Sequence, residues 1–306
     1  MRLEDLARLR LPQPDYRVPI WTLGSWRRRS ITFANGSTDL GTRVFWLQSG
    51  GLTADLRLPA RRFETTSALA CALLEGGAAR TAWDGTRMSW SEWTSFQLHD
   101  KWPEPAHLTR IGDCLIEIPP SGIYVEEWRL QPSEPGLLAG LRLIEERDVQ
   151  SGAVLHRGGC LIVTGDHAAL VKGRPRPLHG ATSVKHHVEQ NLGNAAVLTD
   201  IFAFEASYAT RSVDGAFVVA ASTRQEHEEH SVIELTGFSL EAATGRVRQA
   251  VREGGRDVER LFEIDTLEEQ HAFPLTTRAS ESATRWLSNE RETLLRDAGP
   301  LPPMAP

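Results

Sequence analysis

Residues 24–59 read GSWRRRSITFANGSTDLGTRVFWLQSGGLTADLRLP, and the punctuation of this stretch decides the fold. Asn35-Gly36 and Gly50-Gly51 are dipeptides that accept the positive φ angles of tight hairpins. They separate three runs rich in β-branched, aromatic and other apolar residues: Trp26 to Phe33, Arg43 to Gln48 and Leu52 to Leu58. The third alternates strictly, with Leu52, Ala54, Leu56 and Leu58 opposed to Thr53, Asp55 and Arg57. Such alternation predicts a meander with one dry face and one wet face.

The rest of the chain extends this pattern. Glu4 to Arg10 suits a short helix stopped by Pro12 and Pro14. After the meander, Thr65-Thr66-Ser67 offers N-cap chemistry to a helix running through Glu75, with Gly76-Gly77 to end it. Strands are expected at Ala78 to Trp83, Arg87 to Leu98, Cys114 to Ile118, Ile123 to Gln131 and Leu137 to Glu146. The second half repeats the order of events. Cys160 to Val163 and Ala168 to Lys172 flank a Gly165-Asp166 turn, Ser183 caps the helical VKHHVEQN, and strands follow at Ile201 to Tyr208, Ala216 to Thr223, Val232 to Leu240, Arg246 to Arg252 and Val258 to Ile264. Ser280 then caps a helix over Glu281 to Asp297, with Trp286, Leu287, Leu294 and Leu295 on one face and Gly299-Pro300 closing it before the loose Pro302-Pro303 tail. This predicts an all-β fold of two antiparallel β-barrels, each with a short crossing helix, and a C-terminal helix packed on the second barrel. The expected divisions are 1–150, 151–270 and 271–306.

Composition bounds the partners. With 306 residues, 41% hydrophobic and 24% charged, the chain is long enough for two domains with buried cores. A net charge of −6 leaves no basic stripe for a phosphate backbone, Arg27-Arg28-Arg29 being the main local exception, so no nucleic-acid partner is expected. No apolar run approaches the roughly 18–20 residues that cross a bilayer, and the start MRLEDLARLR carries acidic residues where a secretory signal needs an apolar core. The expectation is a cytoplasmic protein without a membrane partner. Cys71, Cys114 and Cys160, an odd number widely spaced, fit reduced thiols and neither a disulfide framework nor a zinc cluster.

Gly24-Ser25-Trp26, at the start of the first strand and after a short helix, resembles the lipocalin signature, in which the Trp packs across the closed end of an antiparallel barrel. Beyond it, the succession FWLQ…ADLRLP, YVEEWRLQP followed by GLLAGLRLIEE, then CLIVTGDHAALVKG is similar to the Hri-type family of two-domain, lipocalin-like (calycin-like) proteins, through about Ile264. The resemblance implies two lipocalin-like barrels and no established activity.

Candidate chemistry comes from alternation. Met88, Trp90, Glu92, Thr94 and Phe96 share one strand face, and Tyr124, Glu126 and Trp128 share another. If these faces line the first barrel, Glu92 and Glu126 stand among aromatic groups as desolvated carboxylates suited to acid or base work. The plainer alternative pairs each with an inward Arg28, which shares the face of Trp26. Trp26, Trp46, Trp90, Tyr124 and Trp128 are the candidate ligand-binding residues; all tryptophans except Trp286 lie in the first half. The faces Phe202-Phe204-Ala206-Tyr208 and Phe217-Val219-Ala221 lack an interleaved carboxylate and read as filled core, so the functional cavity is placed in the first barrel.

His227 and His230 lie three apart in a polar stretch that reads as a solvated hairpin without a third metal ligand, and His186-His187 point to different helix faces. His99, His107 and His167 each stand alone, which gives haem ligation no argument. The nucleophile elbow, the dinucleotide and phosphate-loop motifs and any recognisable Cys-His spacing are missing, so neither a cofactor nor a metal is expected. Three functions remain open: a binder of a small, largely apolar or aromatic molecule in the first barrel; a cofactor-free isomerase, dehydratase or cyclase with Glu92 or Glu126 as acid or base and Arg28 on an oxyanion; and a protein-interaction scaffold.

Overall fold

The computed structural model describes residues 1–9, 16–60, 67–180 and 182–299. The expectations resting on Arg10, Pro12, Pro14, Thr65, Thr66, Pro300, Pro302 and Pro303 fall outside them.

The first sheet comprises β1 (Gly24–Phe33), β2 (Thr38–Asp39), β3 (Arg43–Gln48), β4 (Leu52–Leu58), β5 (Glu75–Trp83), β6 (Arg87–Ser95), β7 (Ala106–Ile111), β8 (Cys114–Ile118) and β9 (Tyr124–Leu130). All neighbours are antiparallel, and β9 returns to β1 with Trp26 opposite Leu130 and Phe33 opposite Tyr124. β1 and β3–β9 therefore form a closed eight-stranded barrel, with β2 appended to β1. The two opening turns owe their glycines to different causes. Gly36 sits at φ 84°, as a tight hairpin requires. Gly50 and Gly51 do not have positive φ; they are small because the turn is pressed onto the second half. A Cβ on Gly50 would lie 2.5 Å from Thr266 Oγ1, and one on Gly51 would lie 2.5 Å from Asp265 Oδ1. Their amides instead donate to those side chains at 2.9 Å each.

β4 departs from the expected dry and wet faces. Leu52, Ala54, Leu56 and Leu58 are buried outside the barrel, against the second half, while Thr53, Asp55 and Arg57 point into the barrel. The Leu-rich outer face of β3–β5 meets Cys160, Ile162, Ala169, Val171, Phe204, Ala206 and Tyr208 in one core. Burying a leucine there stabilises by about 1.5–3 kcal/mol relative to exposure. Helix α1 (Leu3–Ala7) comes from the N-terminus, and a 3-10 turn at Ile20–Thr22 leads into β1. Helix α2 is only Ala68–Cys71, capped by Ser67, whose side chain accepts from the Ala70 amide. Gly76 and Gly77, expected to end a helix at Glu75, belong to β5, where a Cβ on Gly77 would lie 2.8 Å from the Thr94 carbonyl.

The second sheet holds β10 (Gly136–Asp148), β11 (Val154–Arg157), β12 (Gly159–Thr164), β13 (His167–Lys172), β14 (Glu205–Arg211), β15 (Phe217–Ser222), β16 (Phe238–Leu240), β17 (Val247–Glu253) and β18 (Arg256–His271). Its order is β15-β14-β13-β12-β10-β18-β17-β16, with β11 on β10. First and last strands pair, as in the barrel, but β15 and β16 do not pair, and β15 makes only an isolated Val218–Val232 bridge to the segment before β16, so this sheet stays open. Here the two-barrel expectation meets an open sheet. The N-terminal α1 packs Leu3 and Leu6 into this sheet's core, and the Leu3 amide donates to Leu235 O at 2.9 Å. The sheets change over between Leu130 and Gly136, ahead of the division placed near Gln150. Helices α3 (Val184–Gln190) and α4 (Ala195–Ile201) separate β13 from β14, and α4 occupies the start of what the sequence suggested as a strand from Ile201.

One end of the second sheet's strands is held by charge. Lys172 is buried and reaches Glu205 at 3.0 Å, Glu146 at 3.9 Å and Glu253; Arg260 pairs with Glu146 at 2.5 Å and with Glu253. The clamp ties β10, β13, β14, β17 and β18 together. Lys172→Met strands these carboxylates without their shared cation, and a loss of about 3–5 kcal/mol is expected in urea denaturation; a change below about 1 kcal/mol would show that Arg260 alone suffices.

The C-terminal helix does not pack on the second sheet as expected. It divides into α5 (Glu281–Asn289) and α6 (Arg291–Leu294), and Trp286 and Leu294 are exposed by 58% and 48%. With no buried contact to lose among its described residues, deletion from Ser280 onward is expected to shift the denaturation midpoint by no more than about 0.5 kcal/mol equivalent.

Candidate functional site

The barrel floor is built by the Gly-Ser-Trp start of β1. Trp26 is fully buried, its indole N–H donates to Thr22 O at 2.8 Å in the Ile20–Thr22 turn, and Arg110 Cζ stands 5.3 Å from its ring. Trp26 stacks on Trp46 at 5.9 Å, and Trp46 meets Trp128 edge-on at 5.4 Å. Above this aromatic stack, Trp46, Trp90, Tyr124 and Trp128 line a chamber of about 30 Å³ together with Asp55, Arg57, Trp93, Trp102 and Glu117. That volume is one water's share of liquid. Four of the five aromatic residues expected to line a cavity are thus brought together, and Trp26 supports them from below.

Arg28 and Glu126 do point inward, and they pair with each other. Arg28 Nη1 donates to Glu126 Oε1 at 2.8 Å, and Nη2 to Asp39 at 2.7 Å. Arg57 joins through Glu126 Oε1 at 3.4 Å and Asp55 at 2.9 Å. Glu126 Oε2 is buried without a hydrogen-bond partner among the described residues.

Glu92 lies on the other side of the wall. Its φ of 52° is left-handed, and the β5–β6 register slips between Ala78 and Arg80, so Glu92 and Trp93 together oppose one residue of β5. This bulge reverses the alternation. Trp93 takes the inward position, while the Glu92 side chain is 65% exposed and pairs with Arg80 at 2.9 Å.

The carboxyl group with perturbed chemistry is Glu117, on β8 directly opposite Glu126. It is buried, and it accepts from Trp128 Nε1 at 3.1 Å and from the Tyr124 hydroxyl at 3.3 Å. Burial in the apolar wall, and next the negative charge of Glu126, push its pKa up to about 8, against the opposing pull of Arg57. Glu117 is therefore largely protonated at neutral pH. Its signal was present in the sequence as a lone carboxylate alternating with Leu115 in CLIEI. Asp55 and Arg57 were equally visible in the alternation of β4 but were assigned to a wet face.

Trp102 half-covers the mouth. Its ring takes Arg57 Cζ at 4.1 Å and meets Tyr124 edge-on at 5.4 Å, and its N–H reaches Glu75 at 3.4 Å. Asp55, Trp93 and Trp102 belong both to the chamber and to an adjoining groove of about 510 Å³, whose far wall is the 173–178 segment. A larger concavity, about 830 Å³, runs along the second sheet over Lys172, Glu205 and His227. Its carboxylates are all engaged: Glu205 accepts from His227 Nδ1 at 2.9 Å, from Ser207 at 2.7 Å and from Lys172. That contact raises the His227 pKa, so this histidine is not the freely solvated one expected. The chamber, by contrast, is lined by Trp93, whose indole N–H is buried without a partner among the described residues.

Among the other histidines, His167 has both ring nitrogens committed, Nδ1 to the Tyr208 hydroxyl at 2.8 Å and Nε2 to Pro132 O at 2.9 Å. Burial lowers its pKa, which favours the neutral ring. His99 and His107 are exposed. Among the described residues no group of three His, Cys, Asp or Glu side chains is placed to hold a metal ion, and no helix is long and apolar enough to cross a membrane.

Barrel and site together define a closed eight-stranded antiparallel barrel, consistent with a lipocalin-like fold, whose interior is walled by aromatic rings and crossed by an ion-pair chain. No protein-family model, curated protein or solved structure matches the chain.

The Glu117 shift carries a signed consequence. Between the ordinary glutamate value of about 4.3 and about 8, the folded protein retains a proton that the unfolded chain has released. Stability from this group is therefore complete below the lower value and is lost as pH rises through the upper one. Glu117→Gln is expected to flatten the stability profile between about pH 5 and about pH 8 and to raise the melting temperature most at the alkaline end. Melts of both proteins across that range decide it; parallel profiles would place the ionisation elsewhere.

Proposed function

We propose that this chain binds a small, largely apolar or aromatic molecule at the mouth of its first barrel. The observation that carries the reading is the continuity of the aromatic chamber with the 510 Å³ groove through Asp55, Trp93 and Trp102. The groove has the size of a small-molecule site, whereas the chamber admits only a small leading group unless Trp102 swings aside. The ligand body lies against Trp93 and Trp102, and Glu117 and Arg57 meet its leading end. The closed barrel, consistent with a lipocalin-like fold, supports this use of a barrel mouth, and the first-with-last strand pairing shared by both sheets supports an origin by duplication.

A second reading rests on Glu117. A carboxylic acid held protonated near neutrality inside an aromatic pocket is a general acid in waiting, with Glu126 beside it paired to Arg28 and Arg57. In this reading the chain is a cofactor-free isomerase, dehydratase or cyclase, with Glu117 in the acid or base role that the sequence suggested for Glu92 or Glu126.

Both readings meet in one experiment. Small molecules copurifying with the protein are identified by mass spectrometry, and tryptophan fluorescence is titrated with flat apolar ligands. Binding is expected to quench fluorescence, and Trp102→Ala to weaken it about tenfold or more through loss of one stacking wall. Turnover that disappears in Glu117→Gln while binding persists selects the enzyme. An emission spectrum unmoved by every ligand, with nothing copurified, would remove the small-molecule reading.

A further inference from the structure

We propose that the mouth groove selects ligands bearing a carboxylate or similar planar oxyanion, received by Arg174. The inference rests on the small-molecule reading above and names the ligand's chemical class.

Arg174 follows β13 and lines the groove. Its guanidinium is fixed by three backbone carbonyls: Nε donates to Ile201 O at 2.7 Å, Nη1 to Ser95 O at 3.4 Å and Nη2 to Phe96 O at 2.9 Å. Ile201 ends α4, so the first bond also satisfies a helix-end carbonyl. The rings of Phe96 and Phe204 lie 5.0 and 5.6 Å from Cζ. A guanidinium has five N–H groups. Three are used here, which leaves one on each Nη without a partner among the described residues. No carboxylate of the described residues pairs with it, and burial alone, with no negative neighbour to offset it, lowers its pKa to about 10.

Most other charges of the groove are committed, while the exposed Asp100 accepts from the Trp102 amide at 3.0 Å and has no cation partner among the described residues. Lys101 pairs with Glu75 at 2.5 Å, Arg157 with Glu145 at 3.4 Å, Arg176 with Asp200 at 3.0 Å and Asp55 with Arg57 at 2.9 Å. The groove adds one more unused donor, the indole N–H of Trp93, which is buried without a partner among the described residues. A rigid planar cation with two free N–H groups, a spare indole donor and an aromatic wall match an oxyanion carried on an apolar body. A cationic ligand would meet an uncompensated guanidinium, and a neutral one would leave its charge unpaired.

The probes are 2-naphthoate and its neutral isostere 2-naphthamide, titrated against tryptophan fluorescence. At low ionic strength the acid is expected to bind about tenfold tighter or more, with the preference shrinking as salt rises. Lys101→Gln and Arg176→Gln, exposed substitutions, keep the preference, and Arg174→Gln abolishes it. Because Arg174 also braces α4, Arg174→Lys is the second variant; it retains the charge without the fork and reduces the preference about threefold or more. Equal affinity for both probes in the wild-type protein overturns the anion assignment and leaves the small-molecule reading standing. So does a preference that survives in folded Arg174→Gln, is undiminished in Arg174→Lys, or vanishes in Lys101→Gln. If neither probe quenches fluorescence, the small-molecule reading itself fails.

Discussion

The structure depends on an apolar seam between the outside of the barrel and the second sheet. β4 has no solvent face, since its leucines face the seam and its polar residues face the barrel interior. A strand buried on both sides has nowhere to put a charge except against another charge, and this accounts for the ion-pair chain inside the barrel. Asp55 and Arg57 meet Glu126 and Arg28 because the leucines between them claim the other side. Neither half reaches its full burial without its neighbour, as the Gly50-Gly51 turn pressed onto Asp265 and Thr266 also shows.

That arrangement sets the character of the site. A barrel whose interior carries both charges and tryptophans is nearly filled, leaving about 30 Å³ beneath Trp102. The carboxylates divide by circumstance. Glu126 has two arginines within hydrogen-bonding reach, while Glu117 accepts only from a tyrosine hydroxyl and an indole N–H, and its raised pKa follows from burial and from the charge of Glu126. In the second sheet Lys172 and Arg260 pair with their glutamates, and the concavity lies over this clamp.

Much of the site was legible by alternation. Arg28 shares the inward side with Trp26, and Tyr124, Glu126 and Trp128 share theirs, as period two requires. Alternation failed at Glu92 because one left-handed residue inserts a bulge, and a bulge of one residue exchanges inside for outside beyond it. It also misjudged the amphipathic helix at the C-terminus, whose stripe shows a capacity to pack and does not say whether a surface is offered.

The sequence by itself determined most of the strands, though not β2, β7 or β11, most of their turns, the Ser67, Ser183 and Ser280 caps and the antiparallel class, because these are set by neighbours a few residues apart. Only the tertiary structure decided which side of β4 faced the barrel, that the first sheet closed while the second stayed open at β15 and β16, and that Glu117 was the desolvated carboxyl. Each of those outcomes depends on groups tens to hundreds of residues apart in the chain. Burial and the electrostatic field at a side chain are properties of what surrounds it in space, and a local pattern of polar and apolar residues does not specify them.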